Sequence, residues 1–196
     1  MYEKVNITEN HLSVLSLFTR GFDKGYYIRE VHQILNISPR TAQLILADLE
    51  KKVILESTTR GKVRIYTIKK SPLSIHYFTL VETYKLITFL SQNLLMNELV
   101  AKITPHIQGI GIIFGSYAAG LENKDSDIDL FVIGRHNEKN INAITQLYGK
   151  EISVKSYPLR IFEKNFKNDF LIKEVLKNHI VFSNAEQFVK LVFAHG

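Results

Sequence analysis

Residues 111 to 134 read GIIFGSYAAGLENKDSDIDLFVIG. An apolar run ends in Gly115-Ser116, a polar loop follows, and Asp127-Ile128-Asp129 opens a second apolar run. This segment restricts the fold more than any other. Two short apolar runs bounded by turn residues read as buried strands. In a strand, residues i and i+2 point to the same face. Asp127 and Asp129 therefore project together, while Ile128 and Leu130 turn toward apolar neighbours. Two carboxylates so placed repel each other unless a cation lies between them. Oxygen ligands of this hardness suit Mg²⁺ or Mn²⁺. Gly115-Ser116 ends the first strand and opens a helix, where backbone N–H groups can hold a phosphate. The missing side chain at Gly115 lets the phosphate approach, and the Ser116 hydroxyl can donate a further bond. A phosphate cradle beside a two-carboxylate metal site is what metal-assisted phosphoryl or nucleotidyl transfer requires.

The surrounding chain alternates strand and helix from residue 109 to 193. GIGIIFG is a strand, SYAAGLE a turn with one or two helical turns, and IDLFVIG a second strand. NEKNINAITQLYG is a helix and KEISVKSY a third strand. PLRIFEKNF and FLIKEVLKN follow as helices, and HIVFS as a last short strand. SNAE then reads as a capping box, Ser183 with Glu186, opening a terminal helix. On the third strand Glu151, Ser153 and Lys155 share one face, and Ile152 and Val154 the other.

The first third has a different pattern. ITENHLSVLSLFTR and YYIREVHQIL have helical spacing, with Thr8 as the N-cap of the first. In SPRTAQLILADLEKK, Ser38 fits an N-cap and Pro39 the first helical position. Ala42, Ile45, Leu46 and Leu49 form its inward stripe. VILES and KVRIYTIK then form a hairpin around Gly61. Residues 71 to 105 contain Pro72 and Pro105 at their ends, and 73 to 103 lack Gly and Pro. That stretch reads as one helix of roughly 45 Å. Its broad stripe of Leu80, Tyr84, Ile87 and Leu94 predicts packing on a second copy of the chain, a homodimer.

Charge separates the two parts. Of the net +6, residues 1 to 72 hold twelve Lys/Arg against seven Asp/Glu, and the remainder thirteen against twelve. The basic excess in the first third points to nucleic acid. There is no cysteine, which excludes disulfide frameworks and thiolate metal sites. The N-terminus is too polar for a signal peptide, and no apolar run reaches the eighteen or so residues that span a bilayer. A cytoplasmic protein without membrane contact is the expectation. The histidines show no metalloprotease spacing, and no serine-hydrolase elbow is present.

Helix, helix, helix, hairpin over residues 7 to 70 resembles a winged helix-turn-helix domain. That resemblance implies that the helix from Ser38 enters the major groove. Arg40, Thr41 and Gln43 then lie at its leading end, with Arg40 and Gln43 within reach of base edges. Arg60, Lys62 and Arg64 in the wing would contact phosphates. One departure is visible: such domains often have Gly just after this helix, and here the slot is Val53.

FGSYAAGLENKDSDIDLFVIG resembles the signature of the DNA polymerase β-like nucleotidyltransferase superfamily: Gly-Ser, about ten residues, then Asp-x-Asp in an apolar strand. With the N-terminal winged helix it is similar to small prokaryotic members of that group. The resemblance implies Mg²⁺- or Mn²⁺-dependent transfer of a nucleoside monophosphate from an NTP to an acceptor. Asp127 and Asp129 would bind the metal, and Gly115 and Ser116 the triphosphate. A third carboxylate on the next strand would activate the acceptor; Glu151 is the acid available, and Ser153 is the other occupant of that slot. Related proteins carry Arg where this chain has Ala119, leaving Lys124 and Lys155 as cations. Small relatives of this kind act with a separately encoded helical partner protein. The expected fold is α+β: a winged helix at 1 to 70, a linker and dimerisation helix at 71 to 105, and an α/β nucleotidyltransferase-fold domain with a small mixed sheet at 106 to 196. Two functions follow. One is an enzyme with a DNA-binding winged helix. The other is a DNA-binding regulator or antitoxin whose degenerate nucleotidyltransferase domain senses a nucleotide.

Overall fold

A computed structural model of the chain describes residues 5–124 and 126–196. It separates into two compact units, and the division falls between Val81 and Glu82.

The first unit holds α1 (Glu9–Phe18), α2 (Ile28–Leu35), α3 (Pro39–Lys51), β1 (Leu55–Arg60) and β2 (Val63–Ile68). At the start of α1, the Thr8 N–H donates to Nδ1 of His11 at 3.3 Å. At the start of α3, the Ser38 hydroxyl accepts from the Thr41 N–H at 3.0 Å, with Pro39 at the first helical position. Ala42, Ile45, Leu46 and Leu49 are buried, and Val14, Leu15, Phe18 and Val31 complete the core around them. β1 and β2 pair antiparallel from Leu55↔Ile68 to Arg60↔Val63, which leaves Gly61 and Lys62 for the turn. Tyr26 joins this ribbon by two backbone bonds to Tyr66, of 2.9 and 2.8 Å.

The stretch expected as one helix is two. α4 (Pro72–Gln92) ends before Asn93, and α5 (Leu94–Ile103) begins after it. Asn93 is extended, with φ −136°, and its side chain accepts from the Met96 N–H. Asparagine offers the backbone this local bond in place of a helical one, so it starts helices better than it continues them.

The second unit is built on a four-stranded sheet. β3 (Ile107–Phe114), β4 (Ile128–His136), β5 (Ile152–Tyr157) and β6 (Ile180–Ser183) lie in the order β5-β4-β3-β6. β3 runs antiparallel to both β4 and β6, and β4 runs parallel to β5. A parallel pair needs a crossover, which α7 (Glu138–Tyr148) supplies. The result is an α+β unit with a small mixed sheet, as the sequence predicts. One face carries Ile128, Leu130 and Val132 against Met96, Leu99, Val100 and Ile103 of α5 and Ile141 and Ile144 of α7. On the other face Phe131 meets Tyr157 at 5.3 Å between ring centroids, and Phe162 meets Phe166 at 5.6 Å. α6 (Gly115–Ala119) follows β3, and α8 (Leu159–Asn165) and α9 (Phe170–Lys177) follow β5.

α10 (Ala185–His195) closes the chain, but Ser183 does not cap it. Ser183 belongs to β6 opposite Gly111, and its hydroxyl donates to the Gly109 carbonyl. The cap residue is Asn184, in the left-handed region at φ +58°. Its side-chain amide donates to the same carbonyl at 2.6 Å. The strand pairing takes the hydroxyl that the local pattern assigned to the helix.

Candidate nucleotide and metal site

The register of two strands creates the site. β3 and β4 pair with Phe114 opposite Asp129. Gly115, the next residue, therefore lies against the Asp129 side chain. Its φ is +69°, and a Cβ there would fall 2.4 Å from Oδ2 of Asp129. Glycine is required twice at this position, for the left-handed backbone and for the space. The N–H groups of the first helical residues lack intrahelical partners, so the opening of α6 presents donors beside the carboxylates. With only five residues, α6 offers those N–H groups rather than a strong dipole.

Ser116, Asn123, Lys124, Ser126, Asp127 and Asp129 line one open cleft of about 680 Å³. The loop between them is folded on itself: the Asn123 N–H donates to the Ser126 hydroxyl at 2.9 Å, and the Lys124 carbonyl accepts from the Lys150 ammonium. Asp127 is exposed just before β4, and Asp129 is half-buried within it. Burial raises the Asp129 pKa and the charge of Asp127 raises it further, while Lys155 opposes both. The Asp129 carboxylate is thus held in a place that penalises its charge, which a divalent cation relieves. Two carboxylates with substrate phosphates and water are an ordinary ligand set for Mg²⁺, so the residues fit such an ion. Among the described residues no group of three or more His, Asp or Glu is placed to hold a metal.

The next strand settles which residue lies beside Asp129. β5 pairs with β4 as Ile128↔Ile152, Asp129↔Ser153 and Phe131↔Lys155. Ser153 is the in-register neighbour of Asp129. Glu151 precedes the strand and is exposed; its carbonyl accepts the Ile128 N–H at 2.9 Å.

The residues expected to meet DNA lie in the first unit. Arg40 and Gln43 are exposed at the start of α3 and bond to each other at 3.1 Å. The Thr41 hydroxyl lies 2.8 Å from that of Ser38. Arg60 and Lys62 are exposed at the hairpin tip. Arg64 is held differently. Its guanidinium grips both oxygens of Glu50 at 2.8 and 2.6 Å and donates to the Ser57 hydroxyl at 2.7 Å. Sequence reasoning missed Asn123 and Ser126 as lining residues, because a loop has no periodicity to place its side chains.

Residues 98–187 match the family model described as Polymerase beta, Nucleotidyltransferase. The match supports a nucleotidyltransferase domain of that superfamily over this stretch, and with it nucleoside monophosphate transfer in general. No curated protein and no solved structure matches the chain. Among the described residues, no helix is long and apolar enough to cross a membrane.

Proposed function

We propose that the second unit is a Mg²⁺- or Mn²⁺-dependent nucleotidyltransferase that moves a nucleoside monophosphate from an NTP to an acceptor. The carrying observation is the juxtaposition of Gly115 with the Asp127–Asp129 pair. Asp127 and Asp129 hold the cation, which when bound neutralises phosphate charge. The N–H groups opening α6 and the Ser116 hydroxyl bind the triphosphate, and Lys124 on the cleft wall adds a positive charge. Gly115 keeps the approach open, since any side chain there would occupy the space beside Asp129. The first unit, three helices and a hairpin with an exposed basic tip, supports the reading of a winged helix that brings the protein to DNA.

One observation favours a second reading. Ser153, not a carboxylate, is in register with Asp129, which suits a nucleotide-sensing regulator without transfer chemistry. Single-turnover transfer from labelled NTPs to cell-extract protein or RNA, by wild type, Glu151→Gln and Ser153→Asp, separates them. On the enzyme reading Glu151 activates the acceptor, and Glu151→Gln cuts transfer by about 10²–10⁴, the usual worth of a general base, with NTP binding kept. Transfer by none of the three, with Mg²⁺-dependent NTP binding in all, supports the sensor. Binding that ignores Mg²⁺, or that survives Asp127→Asn with Asp129→Asn, overturns the site itself.

A further inference from the structure

We propose that Lys155 stands where a second divalent cation would otherwise sit beside Asp129, so that the site takes one divalent cation with its nucleotide and not two; the inference rests on the nucleotide-binding reading above.

The geometry comes from β5. Ser153 is opposite Asp129, and Lys155 opposite Phe131. The contact of Tyr157 with Phe131 shows which face these odd-numbered residues share. Val154 packs on the opposite side, against the core that α5 and α7 cover. Ser153 and Lys155 therefore stand on the Asp129 face, one beside it and one diagonal to it, within reach of a long side chain. Lys155 is exposed on that face, and its charge acts on the Asp129 carboxylate.

A cation held between Asp127 and Asp129 has two ligands from the chain. A second cation on the β5 side of Asp129 would need a further anionic ligand there; within that strand the same face offers a hydroxyl followed by an ammonium, and the one nearby acid, Glu151, precedes the strand, is exposed and is not in register with Asp129. The Lys155 charge repels a dication entering at this point. It also does part of what that dication would do, since it places a positive charge on the Asp129 face of the sheet. The ammonium is covalently present, so this part of the site is charged before any metal or nucleotide arrives. The consequence is a stoichiometry set by one side chain.

The test is Mn²⁺ counting by paramagnetic resonance and equilibrium dialysis. The full chain is held with an equimolar mixture of the four α,β-methylene nucleoside triphosphates, which cannot transfer. Wild type is expected to retain one Mn²⁺ per bound nucleotide. Lys155→Glu is expected to retain two, the second lost again in Lys155→Gln. Both variants should keep the wild-type far-ultraviolet dichroism, since position 155 is exposed. Two Mn²⁺ per nucleotide in wild type, or one in Lys155→Glu, overturns the proposal. No Mn²⁺ retained by wild type removes the nucleotide-binding reading and this inference with it, an outcome distinct from either count.

Discussion

Two residues are held in the left-handed region for opposite reasons. Gly115 is there because the site needs it. Val53 is there although its side chain disfavours it. α3 ends with the Val53 N–H on the Glu50 carbonyl at 2.9 Å and the Ile54 N–H on the Leu49 carbonyl at 3.0 Å, with Val53 at φ +63°. This is the paired-bond helix end that usually carries glycine, and both Ile54 and Leu49 are buried. A β-branched residue pays for that conformation. Val53→Gly is expected to stabilise the first unit by about 0.5–1 kcal/mol, the left-handed penalty less the entropy of a glycine in the unfolded chain; urea melts check it. Asp129 gives a second prediction. Its folded pKa is raised, so the folded protein binds that proton more tightly than the unfolded chain. The group favours the fold at low pH, and this support is lost as pH rises through the folded value. Without metal, Asp129→Asn should therefore raise the Tm at pH 7. The gain should shrink toward pH 4, and Mg²⁺ with NTP should raise the Tm of wild type only. The slot of Val53 and the space at Gly115 were both legible in the sequence, because a helix end and a strand-to-helix turn are local. The partner of Gly115 was not, because Asp129 reaches it only through strand register.

At the scale of elements, side-chain bonds override periodicity. Asn93 divides a stretch whose apolar spacing runs on unbroken, and Ser183 serves a strand instead of a helix. A third case was invisible in the sequence. Glu82 on α4 is fully buried, with the Lys85 ammonium at 3.0 and 2.9 Å from its two oxygens. His179, just before β6, lies 3.1 Å from Glu82 and 3.0 Å from Lys85. Burial alone would raise the Glu82 pKa, but the charge of Lys85 and the contacts of His179 outweigh it and bring it to about 2. Burial, then Lys85, pushes His179 down. Its Nδ1 lies 3.1 Å from the Leu176 carbonyl. The depressed Glu82 contributes stability that is full above its unfolded value and is lost as pH falls through about 2. Lys85→Met should cost about 3–5 kcal/mol at pH 7, because it leaves a buried carboxylate without its cation. Glu82→Gln added to it should recover part of that loss. A double variant as unstable as Lys85→Met would assign the cost to packing instead.

At the scale of the whole molecule, the basic first unit and the acidic cleft of the second divide the labour proposed for the chain. The DNA-binding reading predicts affinity that falls steeply with salt, as phosphate contacts release counterions. Arg60→Ala and Lys62→Ala should each reduce the salt slope by about one unit. Arg64→Ala should change it less, because Glu50 and Ser57 already hold that guanidinium. Gel shifts on the upstream DNA of its own gene across a salt series check this, and an unchanged slope in Lys62→Ala would remove the hairpin tip from the interface.

Much of this protein was readable before folding was considered. Strand alternation put Asp127 and Asp129 together, cap chemistry placed the start of α3, and the Gly-Ser to Asp-x-Asp spacing pointed to the superfamily whose model matches residues 98–187. These depend on neighbours a few residues apart, where backbone geometry alone fixes direction. The tertiary structure decided what depends on register and burial. The pairing of β4 with β5 set Ser153 beside Asp129, and Lys155 diagonal to it, although Glu151 was the acid in the sequence. Packing brought His179 to Glu82 across 97 residues. A parallel strand pair joined by a helix can align in several registers that one sequence pattern permits equally. Only the apolar contacts of Ile128, Leu130, Ile152 and Val154 with the helices on one face select one, and with it the residues on the other.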